Sequence, residues 1–354
     1  MHGGKSIVFH ATFHGGQDVV VKARTLDLET EAQGSVHYSD ETGAEVFPLS
    51  LFTLSLFHKF MQVFPGVEEF TAMVASHLSL NMNLTIEGSI LFKLWPSWVR
   101  KRDDFSEVQN KLLLESSMKN VWTLALDPEY VLSRLFKHYD VFPELYGSCG
   151  GLYMVEEVCN LSHIISSLPT TYDALKDKVY LIVPQVRPLP SASFLQPLSF
   201  PAWAERVRIA LAMLDLVEEL DTMFTSPLHL CDVKAEHFGL SDNGRVKYLD
   251  LDSVQLRPLA DRTVGDSTEC REHSDCDFFD CRGRCDLLTH RCAGGVVNNN
   301  LQLVCEKVFL GGEGWAARGL LDSRHASIAL RHAVAECANP AGQFLYLTKL
   351  FCSF

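Results

Sequence analysis

An α+β fold with a disulfide-rich segment in its C-terminal half is what this sequence predicts. Three observations support that expectation. Val- and Phe-rich strands open the chain around Gly15-Gly16. A helical pattern over Pro201–Met223 leads straight into a hairpin with an Asn243-Gly244 turn. Six of the eleven cysteines are packed into Cys270–Cys305. At 354 residues, 47% hydrophobic and 21% charged, the chain is globular in composition and long enough for one two-lobed domain or two small ones.

Residues 6–23 read as two strands of a hairpin, with Lys22 near the end of the second. Asp40–Gly43 reads as a turn, Phe52–Phe70 as a helix, and Asn110–Asn120 as a polar, helix-compatible stretch. Pro128 suits the first position of a helix, with Asp127 as its N-cap. Tyr130, Val131, Leu132, Leu135 and Phe136 follow at helical spacing. Two short strands then flank the Gly147–Gly151 turn. In the long helix, Val207, Ala210, Leu211, Leu214 and Val217 form the expected buried stripe. After Asp252 an irregular cysteine-rich segment is expected to about Asn299, then helices over about 300–310 and 324–338.

The net charge of -13, with no block of Lys or Arg, speaks against nucleic acid as a partner. Phe47–Phe57 is the most apolar run, far short of the roughly twenty residues a membrane span needs. The start, MHGGKSIVFH, lacks the basic and apolar blocks of a signal peptide, which by itself points to the cytosol. The cysteine cluster points the other way, as do the sequons at Asn83-Leu84-Thr85 and Asn160-Leu161-Ser162. The expectation is a lumenal or secreted domain whose targeting segment lies outside this sequence.

The most informative stretch is Leu228–Asp252, LHLCDVKAEHFGLSDNGRVKYLDLD. Asp232 and Lys234, two apart in an extended loop, point to the same side. A two-residue type I′ turn at Asn243-Gly244 would set His237 opposite Asp250. Directly opposed side chains are close enough to share one ion. A carboxylate there can accept a hydroxyl proton, an ammonium can neutralise phosphate, and Asp250 can hold Mg²⁺ or Mn²⁺. On spacing alone, the same residues also suit a surface hairpin with satisfied polar ends.

The order of elements favours the functional reading. A protein kinase needs a glycine loop, a strand lysine, a helix glutamate, a catalytic aspartate and a metal-binding aspartate in that sequence. Gly3-Gly4, Lys22, Glu129, Asp232 and Asp250 occur in that order on suitable elements. That joint order is less easily coincidental than any one of these residues taken alone.

The motifs GSCGGLYMVEEV, LHLCDVKAEHF, LDLDSV, DCDFFDCRGRCDLLTHRC and NNNLQLVCEKVF resemble the divergent protein kinase domain family, type 1. The resemblance covers about residues 1–26 and 127–340. It implies an α+β, protein-kinase-like two-lobed fold, with a first lobe of residues 1–26 and 127–160, an insert 27–126, and a second lobe 161–354 with a disulfide-rich activation-segment region. It implies a cysteine-rich kinase-like protein of the early secretory pathway, lumenal and held by an N-terminal membrane anchor, or alternatively secreted. It implies ATP with Mg or Mn as cofactor and a protein or glycan acceptor as partner. By resemblance, Lys22 holds the α/β-phosphates, Glu129 pairs with it, Asp232 is the base, Lys234 the catalytic-loop lysine and Asp250 the metal ligand. A pseudokinase acting as a binding or regulatory module is the alternative.

Two departures from the pattern favour that alternative. His237 stands where the catalytic-loop Asn is expected, and an imidazole suits Mn²⁺ or Zn²⁺ better than Mg²⁺. Asp252 stands where a glycine should follow the metal-binding aspartate. The strand that should precede Gly3-Gly4 has no residues, so a longer full protein is expected. Family members can carry a calcium-binding EF-hand in the insert, but Asp40-Glu41-Thr42-Gly43 lacks the alternating acids, so calcium is not expected.

Cys270, Cys276, Cys281, Cys285, Cys292 and Cys305 contain no C-x₂-C pair, which argues for disulfides over zinc. Their connectivity stays open, as does a pairing of Cys149 with Cys231 across the fold. Because the cluster sits where a kinase has its activation segment, the segment is expected to be locked by cross-links rather than switched by phosphorylation.

Overall fold

The computed structural model describes residues 6–13, 16–24, 66–84, 94, 107–167, 201–222, 224, 226–266, 268–311, 319–323 and 325–340. Gly3, Gly4, the Asp40–Gly43 turn, Cys352 and the first part of the helix expected from Phe52 lie outside them. The chain divides into two compact units, Met1–Glu157 and Val158–Phe354.

The first unit is built on an antiparallel four-stranded sheet in the order β1-β2-β4-β3. β1 (Ser6–Phe13) and β2 (Gln17–Arg24) form the N-terminal hairpin. Gly16 closes it at φ +86°, a conformation that only glycine takes without strain. β4 (Leu152–Glu156) lies beside β2 and pairs Tyr153 with Lys22, while β3 (Leu145–Cys149) flanks β4.

Helix α1 (Val67–Met82) buries Phe70, Val74, Leu78 and Met82, a stripe spaced by four that packs against α2 (Glu107–Ala125). The expectation over Phe52–Phe70 therefore caught only the beginning of this helix. α3 (Pro128–Leu135) starts as expected. The Asp127 carboxylate accepts the backbone N–H groups of Glu129 and Tyr130, and Pro128 occupies the first turn. The Tyr130 and Tyr153 rings meet edge to face at 5.5 Å, fastening α3 to the sheet.

In the second unit, β5 (Cys159–Asn160) leads into α4 (Leu161–Ser167). α5 (Pro201–Thr222) spans what its periodicity predicts, and its buried face shares Ala210 and Val217 with the expected stripe but is turned from it. Arg206, Ile209, Ala210, Met213, Leu216, Val217 and Leu220 are buried, whereas Leu211 is exposed. Arg208, Asp215 and Glu218 share the exposed side with Leu211, and the rest of the helix offers apolar residues over a face wide enough for either stripe.

Three short pairings follow. β6 (Leu228–Leu230) pairs with β9 (Val254–Leu256), and β7 (Phe238–Leu240) with β8 (Val246–Tyr248) and β5. The segment after Asp252 is more regular than expected. β9 runs into helix α6 (Arg257–Val264), whose start is marked by Pro258 in its first turn. β10 (Cys285–Asp286) and β11 (Arg291–Cys292) form a small hairpin. α7 (Asn300–Val304) continues as a π-helical stretch over Cys305–Gly311, and α8 (Ile328–Ala338) follows.

Candidate functional site

In the first unit the Lys22 ammonium hydrogen-bonds the Glu129 carboxylate. Strand pairing sets the lysine, and the Asp127 cap sets the glutamate at the second position of α3. Both side chains are largely buried, 14% and 7% exposed. A pair so placed resists rearrangement, because freeing either member leaves a charge with little water.

The second unit gathers Asp232, Lys234, His237 and Asp250. β6 delivers the loop from a fully buried strand held at its exit by Asn300. The Asn300 Oδ1 accepts the Leu230 N–H at 2.9 Å, and its Nδ2 donates to the Leu228 carbonyl at 2.6 Å. Beyond it, Lys234 Nζ donates to Asp232 Oδ2 at 3.0 Å. Desolvation pulls the Lys234 ammonium down. The Asp232 hydrogen bond and the charges of Asp232, Glu236 and Asp250 outweigh that and hold its pKa above the ordinary value.

His237 closes a 3₁₀ turn over Ala235–His237, with its Nδ1 2.9 Å from the Asp232 carbonyl oxygen. A carbonyl only accepts, so Nδ1 carries a hydrogen, and in the neutral ring that leaves Nε2 with the lone pair. That Nε2 lies 3.3 Å from Asp250 Oδ2. The same carbonyl accepts the Tyr248 hydroxyl at 2.5 Å. Burial, then the charges of Asp250, Asp232 and Asp280, push the Tyr248 pKa well up and keep the phenol a donor.

The hairpin route to this cluster needs correction. Phe238 faces Tyr248 and Gly239 faces Lys247, one residue away from the expected register. The turn is a three-residue loop. Gly244 N–H donates to the Ser241 carbonyl, and of its residues Gly244 alone takes positive φ, +83°. His237 therefore faces Leu249, whose N–H donates to the His237 carbonyl at 2.8 Å. The imidazole still meets Asp250, because both residues lie past the ends of β7 and β8, where strict alternation of faces no longer applies.

The six clustered cysteines are all bridged, as Cys270–Cys285, Cys276–Cys292, Cys231–Cys281 and Cys305–Cys337. Two bonds stay within the cluster and two leave it, a division that spacing does not encode. Cys149 is unpaired and exposed, so the considered Cys149–Cys231 pairing is overturned. Of the sequons, Asn160 donates its amide Nδ2 to the Glu236 carbonyl at 2.6 Å and accepts from Ser162. Asn83 caps α1 in the left-handed region, at φ 52°.

Residues 121–340 match the model of the protein-kinase domain of FAM69. The chain belongs to this family. The matched part of this FAM69-type domain holds Glu129, the Asp232–Asp250 cluster and all four disulfides, while Lys22 lies before it. The FAM69-type chain is thus a divergent kinase-like domain. A solved complex of Rv3197 with erythromycin from Mycobacterium tuberculosis is similar over 73% of this chain and 46% of that one, with 12% identity and a TM-score of 0.28. This chain spans less than half of that protein, and so slight a likeness bears on neither fold nor function.

The donor set of the second unit fits a divalent cation. Asp232, His237 and Asp250 each offer a ligand atom, all within 4.8 Å of one another. Adjacent ligands of one ion lie about 3.0–3.5 Å apart when each bond is about 2.1 Å, which matches the His237–Asp250 spacing. Metal-binding histidines typically donate their other N–H to a carbonyl or carboxylate, as His237 does to Asp232. Four disulfides are compatible with an oxidising, secretory-pathway location. Among the described residues no helix is long and apolar enough to cross a membrane.

Proposed function

We propose that this domain transfers a phosphoryl group from ATP to a hydroxyl acceptor, with Mn²⁺ preferred over Mg²⁺. The observation that carries the reading is the His237 imidazole, pinned through Nδ1 so that Nε2 and the Asp250 carboxylate sit at the spacing of two ligands. Asp250 and His237 would hold the ion, which supplies positive charge to phosphate oxygens. Lys22, fixed by Glu129, would contact the α/β-phosphates, with Gly3-Gly4 as the covering loop. Asp232 would take the proton of the acceptor hydroxyl as its oxygen bonds to the γ-phosphorus and the bond to ADP breaks. Lys234 would offset charge on the group in transit.

Asp252 favours a second reading, a pseudokinase that binds partners without transfer, because a carboxylate beside Asp250 repels nucleotide phosphate. We place the protein in the lumen of the endoplasmic reticulum or later secretory pathway, membrane-anchored or else secreted. Its acceptor would be a protein or a glycan. Asn83 is the better candidate for glycosylation, since the Asn160 amide is already engaged.

Thermal shift of the oxidised protein with ATP plus Mn²⁺ or Mg²⁺, paired with an ADP-release assay, tests the reading. Stabilisation that vanishes in Asp250→Ala, with ADP release lost in Asp232→Asn, is the expected result. Stabilisation without acceptor-dependent ADP release would establish the second reading. No shift with either metal would remove both ATP and metal from the function.

A further inference from the structure

Cys231 immediately precedes Asp232 and is bonded to Cys281, with both sulfurs buried. In the protein-kinase pattern H-R-D, an arginine holds the place before the catalytic aspartate. Arginines are also what activating phosphates engage when they order an activation segment. Here a covalent bond occupies that place.

Asp280, the neighbour of Cys281, reinforces the bond. Its N–H donates to the Cys231 carbonyl at 2.8 Å, and its Oδ2 accepts the Val233 N–H at 2.7 Å. Asp232 is thereby bracketed, its two chain neighbours both tied to one short segment. That segment is itself fixed. Lys307 Nζ lies 3.2 Å from Asp280 Oδ1, and Arg282 pairs with Glu306, so consecutive residues of the π-helical stretch grip both flanks of Cys281. Asn298 donates to the Asp280 carbonyl at 2.8 Å and accepts the Arg282 N–H at 2.9 Å. Cys305, at the head of the π-helical stretch, is bonded to Cys337.

The contrast lies within the same segment. Cys270–Cys285 and Cys276–Cys292 close loops of 15 and 16 residues and join residues 270–292 only to themselves. Cys231–Cys281 spans 50 residues and joins that segment to the loop bearing Asp232.

We propose that the Cys231–Cys281 disulfide and Asp280 are positioning residues for Asp232. They form a covalent latch that holds the loop in place without an activating phosphate. The proposal rests on the reading of Asp232, His237 and Asp250 given above, and its test separates the two.

Hydrogen–deuterium exchange over residues 232–234 and Mn²⁺ titration followed by electron paramagnetic resonance are measured on the oxidised full chain. In Cys231→Ser/Cys281→Ser, exchange of these amides accelerates at least tenfold and Mn²⁺ affinity falls at least tenfold. Cys270→Ser/Cys285→Ser leaves both within twofold, even if its melting temperature drops. Phosphatase treatment of the wild type changes neither. If the double serine variant fails to fold, Asp280→Ala decides, with the same two effects expected and Asp280→Asn restoring both, because an amide oxygen can still accept the Val233 N–H. Protected amides and unchanged affinity in the latch variants, or a loss of protection on dephosphorylation, would overturn the latch. A wild type that binds no Mn²⁺ counts against the functional reading alone, and the exchange result then decides the latch by itself.

Discussion

The Lys22–Glu129 pair and the Asp232–His237–Asp250 cluster are both charged, yet they are held in opposite ways. The pair rests on regular structure, a strand register and a capped helix, and has little exposure. The cluster rests on a loop, a 3₁₀ turn and the open end of a hairpin, and Asp250 stays 39% exposed. The difference separates two tasks. A buried ion pair holds a cation in place, whereas an incompletely matched group of acids beside an imidazole has ligand atoms to spare.

The contrast can be broken most sharply at His237. Replacing it by the kinase-typical residue, His237→Asn, should exchange an imidazole nitrogen for an amide oxygen, which suits harder ions. The ratio of Mn²⁺ to Mg²⁺ affinity is expected to fall at least tenfold, read by competition titration. An unchanged ratio would take His237 out of the metal shell.

At the pair, Glu129→Ala leaves the Lys22 ammonium 14% exposed without its carboxylate. Unpairing a fully buried charge costs about 3–5 kcal/mol. Because Lys22 retains some access to water, a loss of about 2–3 kcal/mol is expected in urea unfolding. The cluster should respond differently. Asp250→Ala relieves repulsion among acids and is expected to change stability by less than about 1 kcal/mol without metal.

Behind the cluster, acid separates two further groups. Burial, then Arg257, lowers the His229 pKa to about 4, so the folded state excludes a proton that the unfolded chain binds below about 6.5. Stability from this group is present above that value and is lost as pH falls towards about 4. Burial raises Asp221 to about 6, with the Asn300 hydrogen bond and Arg257 opposing. Folding therefore gains from its protonation as pH falls from about 6, and the two effects offset. Asp221→Asn removes the gain, so its melting temperature should drop more steeply than that of the wild type between pH 6 and 4. Equal slopes would show that Asp221 keeps an ordinary pKa.

The smallest effect concerns the sequons. Asn83→Gln should remove any glycan mass from protein secreted by cultured cells. Asn160→Gln should leave the mass shift intact and lower stability by about 1 kcal/mol, the value of its lost hydrogen bonds.

Much of the frame was legible because it depends on near neighbours. Asp127-Pro128 specifies a helix start whatever surrounds it, and Gly15-Gly16 between Val-rich runs specifies a hairpin. The long helix was legible in extent but only partly in orientation. The Asn243-Gly244 turn was legible as a turn, but the three-residue loop shifted the register by one residue. The nearness of His237 and Asp250 survives that error only because both stand beyond the paired strands. The spacing-of-four stripe of α1, and Pro258 at the head of α6, were signals available in the chain that the periodicity reading passed over.

Residue order and local chemistry were thus enough to identify an α+β, kinase-like chain, its candidate acids and lysines, and a cysteine-bridged segment. Tertiary structure alone decided which sulfurs join, which face of α5 is buried, and how Asp232 is held between Cys231 and Val233. Those choices depend on contacts between residues tens of positions apart. Fifteen pairings of six cysteines look alike in a linear chain, and only packing brings Cys281 to Cys231.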